Sequence, residues 1–385
     1  MNSCAQTSFK VSSSPAPRSV WFIPVALATL LAAGSALAAA TPPAPVEIPV
    51  LVIATYETGK DRGDVPGELQ FWAERQHLDH EIKVPGVDHA LLTNDHGLYA
   101  MVSGTSSRCA VQIMALAADP RFDLRHTYFL LSGVAGGDAS MVPLGTAVWV
   151  DTVVDGDPAF EFDSRDIPAS WPYGIVAFGA TEPGKGSINV DAVPAAGTVD
   201  DGSGGGIGKV AFHLNADLVH WAYATSKNVQ LPDDPAMRKL GRKFVDYPKA
   251  QLPAEILVGE SMGVDRFYYG AGMTKWAADW VKLYTRGKGA LYVVDCEDAG
   301  VCLAMQRLSM MGKVDETRLL ILRAACNYSV PSPGVTAPQG LFGTEVINDS
   351  AGAAVIPALE ADYRVGSAVT SELLAHWSTY RAKLP

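Results

Sequence analysis

The residues best able to do chemistry lie in short polar segments that follow apolar runs. Gly259-Glu260-Ser261-Met262-Gly263 comes directly after Glu255–Val258 and has the G-x-S-x-G spacing that exposes a serine nucleophile on a sharp turn. Such an enzyme also needs a downstream acid and a histidine. The one histidine after Ser261 is His376, which lies in an amphipathic segment near the C-terminus. A GxSxG serine hydrolase is therefore retained as a remote alternative.

A second constellation is spread over three segments. Ser132–Gly137 is rich in glycine, Asp295-Cys296-Glu297-Asp298 follows the apolar run Leu291–Val294, and Asn327 closes the run that begins at Arg318. A carboxylate at the end of a strand can accept hydrogen bonds from two adjacent sugar hydroxyls. An amide can both donate to and accept from a heterocyclic base. These segments are therefore the second candidate site, with a carboxylate and an amide that could bind a polar small molecule.

Alternating strands and helices must position these segments. The pattern predicts strands over these apolar runs: Pro49–Ala54, Tyr99–Ser103, Thr127–Leu131, Thr146–Val154, Glu255–Val258, Leu291–Val294 and Arg318–Leu322. It predicts helices over these periodic segments: Cys109–Ala118, Thr274–Thr285, Ala299–Met311 and Ser367–Leu384. The expected fold is a single α/β three-layer domain with a central mixed sheet flanked by helices, and its site should lie beyond the carboxyl ends of strands.

The N-terminal segment carries a targeting pattern. Basic residues precede an apolar run over 20–33, and small residues follow it, so residues 1–40 are predicted to be a secretory signal peptide cleaved near Ala38 or Ala40. An uncleaved membrane anchor is the alternative. Residues 41–48 are expected to be a spacer, and residues 49–385 the folded domain, with an insertion at about 156–250. The mature protein is expected to be exported to the periplasm.

The composition and the cysteine spacing limit the kinds of ligand, metal and cofactor that we expect the protein to bind. The chain of 385 residues has 48% hydrophobic residues and a formal net charge of −11, so it can bury a core but does not suit a nucleic-acid backbone. The cysteines show no C-x-x-C pair and no zinc spacing, and we expect neither a bound metal nor an organic cofactor. Four small buried cysteines, Cys109, Cys296, Cys302 and Cys326, are favoured over a disulfide.

The second constellation resembles the nucleoside phosphorylase and nucleoside hydrolase superfamily, whose members carry T-G-S-A-G-G, D-M-E and R-A-[IV]-S-D segments. Across nearly the whole mature chain the closer resemblance is to the purine nucleoside permease family. It is carried by several stretches in the family's order: Tyr56-Glu57-Thr58-Gly59, Pro66-Gly67-Glu68-Leu69-Gln70-Phe71-Trp72, Asp155-Gly156-Asp157, the segment 167–174 and Gly259-Glu260-Ser261-Met262. The resemblance implies a nucleoside-phosphorylase-like fold and a purine nucleoside as ligand.

The resemblance also assigns candidate ligand contacts. Glu297 matches the glutamate that holds the ribose 2′- and 3′-hydroxyls, although an acid at a helix start can equally be a cap. Cys296 would lie against the sugar. Residues Val134, Ala135, Gly136, Phe267 and Tyr268 would contact the base, although adjacent aromatic residues can equally be core.

Asn327 stands where many bacterial relatives have an aspartate that protonates the leaving base. Asparagine cannot supply a titrating proton, so the resemblance implies a preference for the 6-oxopurine nucleosides inosine or guanosine. Arg323 matches the arginine that supports this position, although it can also simply pair with a neighbouring acid. Asn327 and Glu57 are the candidate catalytic residues, with Glu57 as a general base.

Arg62 and Arg108 are candidate ligands for inorganic phosphate, which would be a co-substrate if the enzyme is a phosphorylase. The sequence leaves open whether the protein binds, transports or cleaves its nucleoside, so a stand-alone phosphorylase or nucleosidase is the main alternative to a permease. A membrane transport partner and a homo-oligomer are further expectations.

Overall fold

The computed structural model describes residues 43–105, 107–186, 210–343, 345–346 and 354–385. The predicted signal peptide and the glycine run Asp201–Gly206 lie outside these residues. Ala44–Pro385 forms one compact unit. Within the described residues, no helix combines the length and the apolar character that a membrane crossing requires.

The described residues form sixteen strands, nine α-helices and two 3-10 helices. The strands are β1 (Val46–Glu47), β2 (Val50–Ala54), β3 (His80–Ile82), β4 (Leu91–Thr93), β5 (Leu98–Val102), β6 (Phe122–Asp123), β7 (Tyr128–Gly137), β8 (Ala147–Asp155), β9 (Ala159–Glu161), β10 (Ile175–Ala177), β11 (Ala180–Glu182), β12 (Lys185–Gly186), β13 (Ala211–His213), β14 (Ile256–Gly263), β15 (Leu291–Asp295) and β16 (Leu319–Tyr328). The α-helices are α1 (Gln70–Arg75), α2 (Ser107–Ala118), α3 (Ala216–Ser226), α4 (Pro235–Gly241), α5 (Ala271–Tyr284), α6 (Asp298–Met310), α7 (Ala337–Phe342), α8 (Val355–Ala375) and α9 (Trp377–Ala382). Two 3-10 helices cover Pro248–Gln251 and Glu316–Arg318.

The main sheet is mixed. Its strands follow the order β13-β8-β14-β15-β7-β2-β5-β4-β3, and β16 pairs with both β7 and β8. β7 runs parallel to β2 and β16, whereas β15 is antiparallel to β7. Since β8 also pairs with β14, and β14 with β15, the strands β7, β16, β8, β14 and β15 close into a ring. The predicted class, a mixed sheet flanked by helices, is confirmed.

The two faces of the sheet bury alternate residues of the same strands. Leu51 and Ile53 pack on the side of α2 and α6, while Val50 and Val52 pack on the side of α1, α3 and α8. This alternation explains why the strand at residue 50 is a continuous apolar run, because both of its faces are covered. A third cluster is centred on Trp276 of α5.

Several predicted elements end elsewhere in the structure. β7, β14 and β16 run on through glycine and polar residues that the sequence pattern had placed in loops, because the ring supplies hydrogen-bond partners on both edges. The predicted C-terminal helix is two helices, α8 and α9, separated at His376, whose φ of −117° and ψ of 26° are not helical. Val46–Glu47, in the expected spacer, pairs with β6 in a parallel ladder.

Candidate nucleoside site

A cavity of about 200 Å³ lies where the C-terminal ends of β2, β7, β15 and β16 meet. Eight of the candidate residues line it: Val134, Ala135, Gly136, Phe267, Tyr268, Cys296, Glu297 and Asn327. Its wall also includes residues that were not singled out: Thr55, Tyr56, Glu68, Thr105, Arg266, Val294, Asp295, Cys326 and Ser329. A larger cleft of about 410 Å³ beside α4 is lined by none of the candidates.

Glu297 and Arg323 form the charged centre of this site. Arg323 is fully buried, and its Nη2 lies 3.0 Å from Oε2 of Glu297. Glu297 is itself 6% exposed, and burial raises the pKa of its carboxyl to about 7, against the opposing pull of the guanidinium. Both contacts to the carboxylate, from Arg323 and from the backbone N–H of Cys296, use Oε2. Oε1 is thus the oxygen left to accept from a ligand hydroxyl.

Asp298 holds Arg323 from the other side. Its Oδ1 accepts from Nε at 2.9 Å and lies 2.7 Å from Nη2. Glu68 Oε1 and Asp295 Oδ1 are each 3.9 Å from the same guanidinium. The buried Arg323 therefore lies within 3.9 Å of four buried carboxyl groups, those of Glu68, Asp295, Glu297 and Asp298. Acidic groups thus outnumber the cation at this end of the cavity.

Glu57 does not reach the cavity. Its Oε2 accepts from the backbone N–H groups of Leu69 at 2.9 Å and Gln70 at 2.7 Å, and its Oε1 from those of Thr58 and Gly67. These bonds place the carboxylate at the N-terminus of α1, where it satisfies amide groups that the helix leaves without partners. Burial raises the pKa of Glu57, and the four amides oppose that shift.

Glu68 occupies the cavity wall instead. Its Oε2 accepts from the backbone N–H and the hydroxyl of Thr55, each at 2.7 Å, and its Oε1 accepts from the N–H of Val134 at 2.8 Å. Glu68 lies in the turn before α1, which returns to the end of β2. The sequence offered no local signal for it beyond its place in a stretch that resembles the family.

The two candidate phosphate ligands lie outside the cavity wall. Arg62 donates through Nη2 to the carbonyl of Leu78 and lies 3.9 Å from Asp79. Arg108 is exposed on the first turn of α2. Arg266, the one arginine in the wall, pairs with Glu161 at 3.1 Å. The described wall therefore lacks a cation that is free to hold phosphate.

The part of the cavity formed by Gly136, Tyr268, Phe267 and Asn327 is apolar except for the Asn327 amide. Asn327 is 6% exposed, donates through Nδ2 to the carbonyl of Tyr328 at 2.9 Å, and lies against Gly136. A Cβ at Gly136 would come within 2.9 Å of Val294 and 3.2 Å of Asn327, so only glycine fits there. Tyr268 is buried and its hydroxyl finds no partner in the described residues, whereas Phe267 is 57% exposed at the rim.

The cavity thiols are poor nucleophiles. Burial raises the pKa of Cys296 and of Cys326 to about 12, so both remain protonated at neutral pH. None of the four cysteines of the described chain forms a disulfide, and three of them are buried while Cys296 is half-buried. Cys296 and Cys326 act as small apolar wall residues.

The serine-hydrolase alternative is wrong. Ser261 lies inside β14 rather than on a strand-to-helix turn, and it is fully buried. Its hydroxyl contacts Asp295 at 3.0 Å and Asp298 at 2.5 Å. His376 lies 3.5 Å from Glu372 and packs against Tyr380, on the C-terminal helices. No nucleophile and base are brought together at this motif.

Residues 47–385 match the family described as purine nucleoside permease (NUP). The chain belongs to the purine nucleoside permease family. Within it, the purine nucleoside permease of Candida albicans is 23% identical over 314 residues, which cover 80% of this chain and 72% of that protein. A probable purine nucleoside permease of Schizosaccharomyces pombe is 25% identical over 272 residues, covering 71% and 74% of the two chains.

Solved structures similar to this permease-family chain include two nucleoside hydrolases. A 5′-methylthioadenosine/S-adenosylhomocysteine nucleosidase of Neisseria meningitidis gives a TM-score of 0.44 at 13% identity, covering 85% of this chain and 100% of that one. The futalosine hydrolase of Helicobacter pylori gives 0.47 at 10% identity, covering 85% and 99%. Both are more distant in sequence than the two fungal permeases.

Proposed function

We propose that this chain binds a purine nucleoside in the cavity at the ends of β7, β15 and β16. The observation that carries the proposal is the buried Glu297 carboxylate, which Arg323 holds by Oε2 alone. The remaining oxygen can accept from the two adjacent hydroxyls of a ribose. Charge-assisted hydrogen bonds of this kind are about twice as strong as neutral ones, so a diol ligand would be held at this end.

The opposite end suits a purine. Gly136 brings the strand backbone close to the ligand, Asn327 offers an amide, and Tyr268 and Phe267 offer ring faces and edges. Because Asn327 can both donate and accept, we expect inosine or guanosine to be preferred over adenosine. Family membership supports a purine nucleoside as the ligand class.

The biological role that fits this site is purine nucleoside uptake. We propose that the mature chain works in the periplasm after cleavage near Ala38 or Ala40, and that a membrane protein of another kind carries the nucleoside across the bilayer. A homo-oligomer is compatible with this role.

Cleavage of the N-glycosidic bond is the second candidate function. Glu68 lines the cavity on the sugar side, and Nη1 of Arg323, buried and without a hydrogen-bond partner in the described chain, lies 3.9 Å from Glu68 Oε1. A water held by these two groups would form the new bond to C1′ of the ribose as the C1′–N bond breaks, with Glu68 taking the water's proton. The departing base, held by Asn327, would take a proton from solvent. Among the described wall residues the one arginine, Arg266, already pairs with Glu161, so hydrolysis is favoured over phosphorolysis if cleavage occurs.

Calorimetry and product analysis on the purified mature chain test the proposal together. We expect inosine to bind more tightly than hypoxanthine, and Glu297→Gln to weaken inosine by at least about tenfold while leaving hypoxanthine nearly unchanged. Equal weakening of both ligands would reject the ribose contact. Hypoxanthine released without phosphate would establish a nucleosidase, phosphate-dependent release a phosphorylase, and binding without product a binding protein.

A further inference from the structure

The hydroxyl of Ser261 lies between two buried carboxyl groups. Ser261 Oγ is 3.0 Å from Oδ2 of Asp295 and 2.5 Å from Oδ2 of Asp298, and all three side chains are buried. A hydroxyl has one hydrogen and can donate to one oxygen only. The second short contact is a hydrogen bond only if the other carboxyl carries a proton and donates it to Ser261.

The position of the Arg323 guanidinium distinguishes the two carboxyl groups. Asp298 Oδ1 receives Nε at 2.9 Å and lies 2.7 Å from Nη2, whereas the nearest Asp295 oxygen is 3.9 Å away. Asp295 Oδ1 instead accepts from the backbone N–H groups of Glu297 at 2.9 Å and Asp298 at 2.7 Å. The guanidinium therefore pairs with Asp298 and not with Asp295, which leaves Asp295 as the group free to hold a proton.

We propose that Asp295 is a neutral acid whose Oδ2–H donates to Ser261, that Ser261 donates in turn to Asp298, and that this chain positions Glu297. The chain consists of Asp295, Ser261, Asp298, Arg323 and Glu297 in that order. Ser261 is then a positioning residue: it fixes Asp298, which aligns Arg323, which holds the Glu297 carboxylate.

The charges around the chain fit this arrangement. Besides Arg323, the groups facing Asp295 are Asp298 and Glu297 at the start of α6, the Cys296 thiol, and the Tyr268 hydroxyl before α5. Burial, and then the negative charge of Asp298, raise the pKa of Asp295 well above its usual range. A neutral Asp295 leaves the single guanidinium to Asp298 and Glu297, so Glu297 can remain an anion in a buried site.

Infrared difference spectroscopy on the ligand-free protein tests where the proton lies. A protonated carboxyl has a C=O band that a carboxylate lacks. We expect the band to be lost in Asp295→Asn, and to move to higher frequency in Ser261→Ala because its hydrogen-bond acceptor is gone. Asp163→Asn, which removes an exposed carboxylate paired with Arg165, should leave it unchanged. Burial also raises the pKa values of Glu297 and Asp362, so the readout is the difference between variant and wild type. No loss of protonated-carboxyl absorption in Asp295→Asn, or the same loss in Asp298→Asn instead, would overturn the proposal.

Binding measurements test the positioning role and rest on the proposed function. Asparagine imitates a neutral aspartic acid, so Asp295→Asn should weaken inosine less than about threefold, whereas Asp298→Asn should weaken it at least about tenfold. Ser261→Ala should fall between them, with hypoxanthine affected less than inosine. The opposite order for the two asparagine variants would reject the positioning role. If Asp298→Asn does not fold, the infrared result decides, and since it involves no nucleoside, it stands even if inosine does not bind.

Discussion

The backbone of Gly133 lies directly against the carboxylate of Glu68, so that a Cβ at this position would stand 2.1 Å from Oε1. Glu68 cannot retreat, because Thr55 holds its other oxygen through two hydrogen bonds of 2.7 Å. Because Gly133 of β7 has no side chain, the carboxylate of Glu68, from the turn before α1, fits against the strand.

Gly133→Ala should displace Glu68. We expect unfolding free energy to fall by about 1–3 kcal/mol, which is typical of overpacking, and inosine affinity to fall with it. Thermal unfolding and calorimetry measure the two effects. Gly272→Ala is the matched control. Gly272 lies at the exposed start of α5, where alanine favours the helix. Its new methyl group would lie 3.9 Å from the nearest atom, the carbonyl oxygen of Pro172. A stable Gly133→Ala protein with normal affinity would show that the close packing is unimportant.

The titration of Glu297 should be visible in ligand binding. Because burial raises its pKa to about 7, part of the population is neutral at pH 7, and a neutral carboxyl is a weaker acceptor for the ribose diol. Inosine affinity should therefore rise from pH 5.5 to pH 8, by up to about tenfold per pH unit below 7. Hypoxanthine, which lacks the diol, should show no such rise, and neither ligand should show it in Glu297→Gln.

The same titration acts on stability with the opposite sign. The folded state of Glu297 binds its proton more tightly than the unfolded chain does, so its contribution is complete below about pH 4.5 and is lost as pH rises to about 7. Stability profiles of the wild type and Glu297→Gln should diverge across this window, with the wild type losing more. Parallel profiles would contradict the raised pKa.

Glu57→Gln separates the role of the half-buried Glu57 from that of the buried Glu68. We expect it to lower the unfolding free energy by about 1–3 kcal/mol, because a charged acceptor for four backbone amides is replaced by a neutral one. Inosine affinity and any cleavage should change little. Glu68→Gln, in contrast, should reduce the rate of any cleavage at least about 100-fold. Loss of cleavage in a folded Glu57→Gln protein would return Glu57 to the role of general base.

Asn327→Asp tests base preference. An aspartate facing the Tyr328 carbonyl must hold a proton to keep the hydrogen bond that Asn327 Nδ2 now makes at 2.9 Å. When a purine binds, that single proton can be donated to a purine nitrogen in place of the carbonyl, so the ratio of adenosine to inosine affinity should rise by at least about fivefold. Competition calorimetry at constant pH gives the ratio. A ratio equal to that of the wild type would mean that residue 327 does not read the base.

The sequence predicted those parts of the molecule that local pattern determines. β2, β8 and β15 lie within a residue or two of the apolar runs, because strands buried on both faces leave a continuous signal. Glu297 and Asn327 reach the cavity because each lies at or just after the end of a strand.

What the sequence could not reveal depends on contacts between distant segments. Glu68 enters the site through its fit against Gly133, 65 positions away, and no local spacing records that approach. The G-x-S-x-G pattern misled because Ser261 and its glycines continue a strand that is paired on both edges. Glu57 looked like the site carboxylate because it lies three residues past the end of β2, but its oxygens accept hydrogen bonds from backbone amides at and just before the start of α1.

The closed ring of β7, β16, β8, β14 and β15 also bears on how a ligand enters and leaves. A ring has no edge strand that could peel away, so the rim carrying Glu297 and Asn327 can open only by global unfolding. The amide protons of these strands should be the slowest in the molecule to exchange with deuterium, and nucleoside should slow them further, because a ligand that binds only the folded state makes global unfolding rarer. Ligand traffic must then pass over Phe267 and the turn at Glu68, whose amides should gain protection when the cavity fills.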